Sequence, residues 1–77
     1  STTIHFELAR GGHATLAVYD ARGRVVKTIL NEELPFGIYD YQWRGDDNAG
    51  KQVASGVYYY VLKTPHVNMS RQMTLIR

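Results

Sequence analysis

At 77 residues, 44% hydrophobic, 12% aromatic and with a formal net charge of +2, the sequence has room for one small globular domain and does not read as a disordered tail. Its nine basic and seven acidic residues are spread along the chain, and Lys and Arg cluster no further than Arg22-Gly23-Arg24, which excludes the basic stripe of a nucleic-acid binder. The absence of cysteine excludes disulfides and thiolate metal sites, and no apolar run is long enough for a membrane-spanning helix.

A chain of this size buries only about 60% of the surface that its unfolded form exposes, so its core has to be efficient. Six tyrosines against two phenylalanines point to rings that bury one face and keep a hydroxyl near water. The lack of cysteine does not fix a compartment. The sequence opens on Ser1 with no methionine and no signal peptide, and it reads as a piece of a longer polypeptide.

In chain order, Thr2 to Leu8 alternates, with Ile4, Phe6 and Leu8 on one face, which predicts a half-buried strand. Ala9 to His13, with two glycines, breaks it. Ala14 to Tyr19 alternates again, with Ala14, Leu16 and Val18 expected inward and Thr15, Ala17 and Tyr19 outward. Asp20-Ala21-Arg22-Gly23 has the residue preferences of a type I turn and makes Arg24 to Leu30 the hairpin partner. The doublets Val25-Val26 and Ile29-Leu30 leave that strand's facing open, and a bulge between them would reconcile both. Asn31 to Gly37 is expected to be the longest connection, a loop crossing from one sheet to another, with room for one helical turn at Asn31–Leu34.

Gly37 to Trp43 places Tyr39, Tyr41 and Trp43 on one face, expected to be core, with Ile38, Asp40 and Gln42 opposite. A polar turn follows the only tryptophan. Next come a short strand near Gln52–Ala54, a Ser55-Gly56 break, and a strand from Gly56 to Lys63 that is apolar on both faces. Tyr58, Tyr60 and Leu62 form one of those faces; Val57, Tyr59 and Val61 form the other. A last strand from about Met69 to Arg77 turns Met73 and Leu75 inward. The prediction is an all-β, Ig-like antiparallel sandwich of about seven strands, with residues 1–77 as a single module.

Candidate chemistry is sparse. Asp46-Asp47-Asn48, with Asp40 nearby, supplies oxygens of the kind calcium takes, but the spacing is not that of a calcium loop and no glutamate closes it. An Asx-rich turn that bonds its own backbone is the plainer reading. His5, His13 and His66 are scattered over three elements with no carboxylate at ligand spacing. Ser55 precedes a glycine in a turn and has no nucleophile-elbow context. No enzyme activity and no cofactor are therefore expected. Tyr19 and Tyr59 are the outward rings available for stacking on a sugar. The apolar outer strip Val57, Tyr59 and Val61 is the stronger interaction candidate, suited to a neighbouring domain, a second copy or export machinery.

Three spacings carry a family resemblance: Val18-Tyr19-Asp20-x-x-Gly23; Trp43-x-Gly45-x-Asp47-x-x-Gly50-x-x-Val53-x-x-Gly56-Val57-Tyr58-x-Tyr60-x-Leu62; and Met73-x-Leu75-x-Arg77. From Thr3 to Arg77 the chain resembles the Ig-like domain of the bacterial flagellar hook-capping protein, the FlgD type. It is similar also to modules at the C-termini of large secreted bacterial proteins, which overlap with the C-terminal sorting domains of the type IX secretion system. The resemblance marks Gly23, Trp43, Gly45, Asp47, Gly50, Gly56, Tyr58 and Tyr60 as the structural motif. It implies a non-catalytic, secreted or cell-surface bacterial module, the C-terminal domain of its parent, that acts in sorting or surface attachment. Tyr59, Val57, Val61, Met73, Leu75 and Arg77 would then form the interaction surface. The preceding domain of the same polypeptide, secretion or surface machinery and a second copy are the expected partners. A structural spacer or scaffold and, after it, a carbohydrate-binding accessory module are the alternatives.

Overall fold

A computed structural model describes residues 1–77 as six strands without a helix. They are β1 (Thr2–Leu8), β2 (Gly12–Asp20), β3 (Val25–Leu34), β4 (Gly37–Trp43), β5 (Gly56–Lys63) and β6 (Asn68–Leu75). Two antiparallel sheets form: β1 pairs with β4, and the larger sheet runs β3-β2-β5-β6. The chain changes sheets between β1 and β2, between β3 and β4, and between β4 and β5. This is an Ig-like sandwich with six strands rather than seven.

The alternating residues become the core. Ile4, Phe6 and Leu8 from β1 are buried against Ala14, Leu16 and Val18 from β2, with Trp43, Tyr58, Leu62 and Leu75 joining from the other strands. One contiguous apolar cluster results, and no charged or polar residue is buried. Trp43 is its largest member. It meets Tyr58 edge-to-face with ring centroids 5.0 Å apart, the geometry that aromatic quadrupoles favour. Tyr39 and Tyr41 lie half-buried on the same face and stack beside Phe6.

Four expectations are corrected. Asn31 to Leu34 is strand, neither loop nor helical turn: it pairs with Thr15 back to Gly12, and only Pro35-Phe36 separates β3 from β4. An edge position leaves Asn31, Glu32 and Glu33 in water while Leu34 returns to the core, so pairing overrides their weak strand preference. Two bulges are present instead of one. The register steps from Leu16↔Leu30 to Ala17↔Thr28 and from Val18↔Lys27 to Tyr19↔Val25, which leaves Ile29 and Val26 as the extra residues, one inside each apolar doublet. Ala17 is buried although it faces outward, because Thr28 and Val61 flank its small side chain on both sides. The short strand near Gln52–Ala54 is reduced to one bridge, Asp46↔Gln52. There, Val53 N–H donates to the Gly45 carbonyl and the Val53 carbonyl accepts from the Arg77 side chain, so loop partners take the place of a ladder.

Candidate interaction surface

The turn after Trp43 shows where the polar side chains are used. Asp47 Oδ1 accepts from the N–H groups of Ala49 and Lys51, both at 2.9 Å, while Gly50 N–H donates to the Asp47 carbonyl at 2.9 Å. This is an Asx turn closed on its own backbone. Asp46 points the other way: its carboxylate meets Lys27 Nζ at 3.1 Å, and its carbonyl accepts from Trp43 Nε1 at 2.9 Å. Asn48 substitutes for a strand neighbour along β3. Its N–H donates to the Val26 carbonyl at 3.0 Å, and its side-chain oxygen accepts from Thr28 N–H at 2.9 Å. The oxygens that suggested calcium are thus directed at backbone N–H groups and a lysine, and Asp40 is on another sheet beside His5, 2.6 Å away.

Arg77 completes this frame. Its guanidinium donates to the carbonyls of Gly45 and Val53, and its backbone N–H donates to Ser55 Oγ at 3.1 Å. Ser55 therefore holds the chain end and does not stand beside a base. Gly45 is required at its place. It is buried with φ at 72°, in the left-handed region, and an added Cβ would fall 2.5 Å from an Arg77 nitrogen and about 3.1 Å from Leu75.

The histidines do not converge. His5 sits opposite Asp40 across the β1–β4 pair, His13 Nε2 lies 2.6 Å from Asn31 Oδ1, and His66 belongs to the turn between β5 and β6. A pairing such as His5 with Asp40 spans 35 residues, and local spacing carries no signal of it.

At the start of the β2–β3 hairpin, the Asp20 carboxylate accepts from the backbone N–H groups of Arg24 and Arg22 and meets the Arg24 guanidinium at 3.1 Å. These bonds, led by that from the Arg24 backbone, hold its pKa below the ordinary 3.8. Burial raises the pKa of Tyr41 above 10.0, with the Glu32 carboxylate adding to the shift.

The outer face of the large sheet is the surface left without an internal partner. Tyr19 pairs with Tyr59 and Ala17 with Val61 across β2 and β5, with Val25 and Val57 exposed at one end. Gln72, Ser70 and Thr74 flank this strip from β6. Tyr19 and Tyr59 are only half exposed, so each presents part of a ring. Three residues expected on the interaction surface are turned elsewhere, Arg77 among them with its guanidinium on the Gly45 and Val53 carbonyls. Leu75 is buried in the core and Met73 packs against it, because both share the inward face of β6 with Met69. Of the structural-motif residues, Tyr58 hydroxyl donates to the Ala54 carbonyl at 2.6 Å, Tyr60 packs on the core, and Gly23 closes its hairpin by donating to the Asp20 carbonyl at 3.0 Å. Gly50 and Gly56 stand in the open, with no atom near where a Cβ would lie.

Two antiparallel sheets around a tryptophan-plugged core define an Ig-like module. The family model of the FlgD Ig-like domain matches residues 1–65, and the chain belongs to that family. No curated protein matches it. The matched span takes in β1 to β5, while β6 and the Arg77 clamp lie beyond it.

Proposed function

We propose that this domain is a structural Ig-like scaffold in a longer, exported bacterial protein, with the outer face of β2 and β5 resting on the preceding domain of the same polypeptide. One observation carries the reading. The polar side chains that would supply chemistry bond to turns and strand edges, whereas Tyr19, Val57, Tyr59 and Val61 form a continuous apolar strip with no internal partner. Family membership supports a scaffold in place of a catalyst. The test is limited proteolysis of the parent protein carrying Val57→Lys with Tyr59→Ser. The expected result is faster cleavage at the junction before the domain with the domain itself still folded; unchanged cleavage would overturn the reading.

A second reading starts from the edge strand β6. Beyond its buried Leu75 stands Ile76, 84% exposed, followed by the basic Arg77, an apolar and basic pair that would suit recognition by sorting machinery. In this reading the module is C-terminal and directs its parent to the cell surface. Residues 1–77 behind a periplasmic reporter, in a host with a type IX system, test it. Since Leu75 is buried, the informative variant is Ile76→Ser and not removal of the strand. Surface display that the variant loses supports sorting; reporter retained in the periplasm with the intact domain folded excludes it for that host.

A further inference from the structure

At Val57 the apolar strip of β2 and β5 runs into a cleft of about 250 Å³, whose walls are internal parts of the chain: the β2–β3 turn with Asp20, Arg22 and Arg24, and the approach to β5 with Ser55. The acceptors here are already used. Asp20 Oδ1 takes the N–H groups of Arg22 and Arg24, and Oδ2 takes Arg24 Nε. The Asp20 carbonyl takes Gly23 N–H, and the Ala54 carbonyl takes the Tyr58 hydroxyl. The donors are not used. Arg22 is exposed and its guanidinium makes no hydrogen bond or ion pair, while Arg24 bonds through Nε alone and keeps its two terminal nitrogens free. Ser55 Oγ accepts from Arg77 N–H and retains its own hydrogen to give. Charge counts the same way: Arg24 balances Asp20, and Arg22 is left over.

We infer that this cleft takes a carboxylate side chain of the preceding domain, held by the Arg22 guanidinium beside the apolar contact at Val57. The inference rests on the reading that the outer face of β2 and β5 docks on that domain. A set of spare N–H and O–H donors without a spare acceptor selects an acceptor-only group, which an ionised carboxylate is. The planar guanidinium fork matches its two oxygens with two parallel hydrogen bonds. A neutral or basic group in the same place would leave Arg22 unpaired at a contact that sheds water, so the cleft also discriminates against the wrong surface.

The cleft opens at the end of the sandwich that a preceding domain would adjoin. Thr2 pairs with Trp43; two residues further on, the Gly45 carbonyl receives the Arg77 guanidinium, and Arg77 N–H reaches Ser55 on the rim of the cleft. A polypeptide leading into β1 therefore arrives beside the cleft, while Leu8, Gly37 and the β5–β6 turn belong to the far end. One surface of a domain joined there reaches both Arg22 and the strip that begins at Val57.

The test uses the parent protein. Only the backbone N–H of Arg22 serves the turn, so its side chain can be changed without disturbing the fold. The parent carrying Arg22→Lys is treated with a carbodiimide, which joins an amine to a carboxylate only where the two touch. Mass spectrometry on mixed isotope-labelled and unlabelled protein is expected to show position 22 bonded to an Asp or Glu of the preceding domain within one molecule. No such bond, a bond only to carboxylates of the 77 residues themselves, or a bond between labelled and unlabelled molecules would each overturn the assignment. Arg22→Gln gives a second measure. Cleavage of the junction by a protease that does not recognise arginine should be about two- to fivefold faster than in the unaltered parent, the scale of a part-exposed ion pair, and the difference should vanish at about 0.5 M salt. Arg71→Gln, which removes an exposed, unpaired arginine outside the cleft, should leave cleavage unchanged. Equal rates for Arg22→Gln and the unaltered parent, or the same gain from Arg71→Gln, would overturn the carboxylate; the docked face itself stands as long as Val57→Lys with Tyr59→Ser still speeds cleavage. If that pair of substitutions has no effect, the docking reading fails and the cleft assignment with it.

Discussion

The Arg77 guanidinium donates to the carbonyl of Gly45, a residue 32 positions earlier, and so ties the last residue to the loop that follows the core tryptophan. Gly45 is also the residue whose missing side chain makes room for that guanidinium. The contact therefore depends on both ends: a basic fork on one and the absence of a Cβ on the other.

Arg77→Ala should lower the stability of the chain by about 1–2 kcal/mol, since side-chain hydrogen bonds to two carbonyls are lost at a mostly exposed site. Arg77→Lys should recover little, because an ammonium cannot match a planar fork that reaches two carbonyls. Urea denaturation of the three proteins checks both statements. Equal midpoints for all three would show that the clamp contributes nothing.

Gly45 and Gly50 form an internal control for each other. Both hold positive φ, 72° and 82°, but a Cβ at Gly50 meets nothing within 4 Å whereas one at Gly45 collides with Arg77 and presses on Leu75. Gly50→Ala should cost about 1–2 kcal/mol from left-handed backbone alone. Gly45→Ala should cost at least ~1 kcal/mol more, from displaced neighbours. Thermal unfolding of the pair measures the difference, and matching losses would remove the steric part of the account.

Trp43→Ala should leave the domain largely unfolded. Truncating a buried aromatic costs about 3–5 kcal/mol, a large share of what so small a domain has. Trp43→Phe should fold but lose about 1–3 kcal/mol, since the Asp46 carbonyl loses its donor. Far-ultraviolet circular dichroism distinguishes the two, and a folded, cooperative Trp43→Ala protein would contradict the placement of the core.

Acid and alkali should each find one weak point. Asp20 has a lowered pKa in the folded chain, so its stabilising contribution is present above the ordinary 3.8 and is lost as pH falls through the lower folded value. Asp20→Asn should flatten the acid limb of stability below the ordinary 3.8. Tyr41 has a raised pKa, so its contribution is complete below 10.0 and is lost as pH rises through the higher folded value. Tyr41→Phe should remove that part of the alkaline decline. Denaturant midpoints across both ranges read the slopes, and unchanged slopes in the variants would disprove the assignments.

The strands that bury one face were legible in the sequence because alternation is a local signal: Ile4, Phe6 and Leu8 announce their side without knowledge of a partner. The Asp20–Gly23 hairpin turn and the Asx turn at Asp47 were legible for the same reason, as each bonds within four residues. What was not legible depends on partners far along the chain. Asn31 to Glu33 reads as loop until β2 lies beside it, and Gln52 to Ala54 reads as strand until Gly45 and Arg77 take its bonds. The unequal division of six strands between two sheets was equally hidden, since it depends on which strands pair across the whole chain.

The register of the small sheet also constrains how the chain comes together in time. Thr2 pairs with Trp43 and Leu8 with Gly37, so the first strand made during synthesis has no partner until the fourth has been made. The β2–β3 and β5–β6 hairpins close over short turns, but sealing the core over β2 waits on a loop that encloses both β2 and β3. Such non-local closure places folding in the slow range for small domains, roughly milliseconds to seconds. Until β4 joins it, β1 has no strand partner at all.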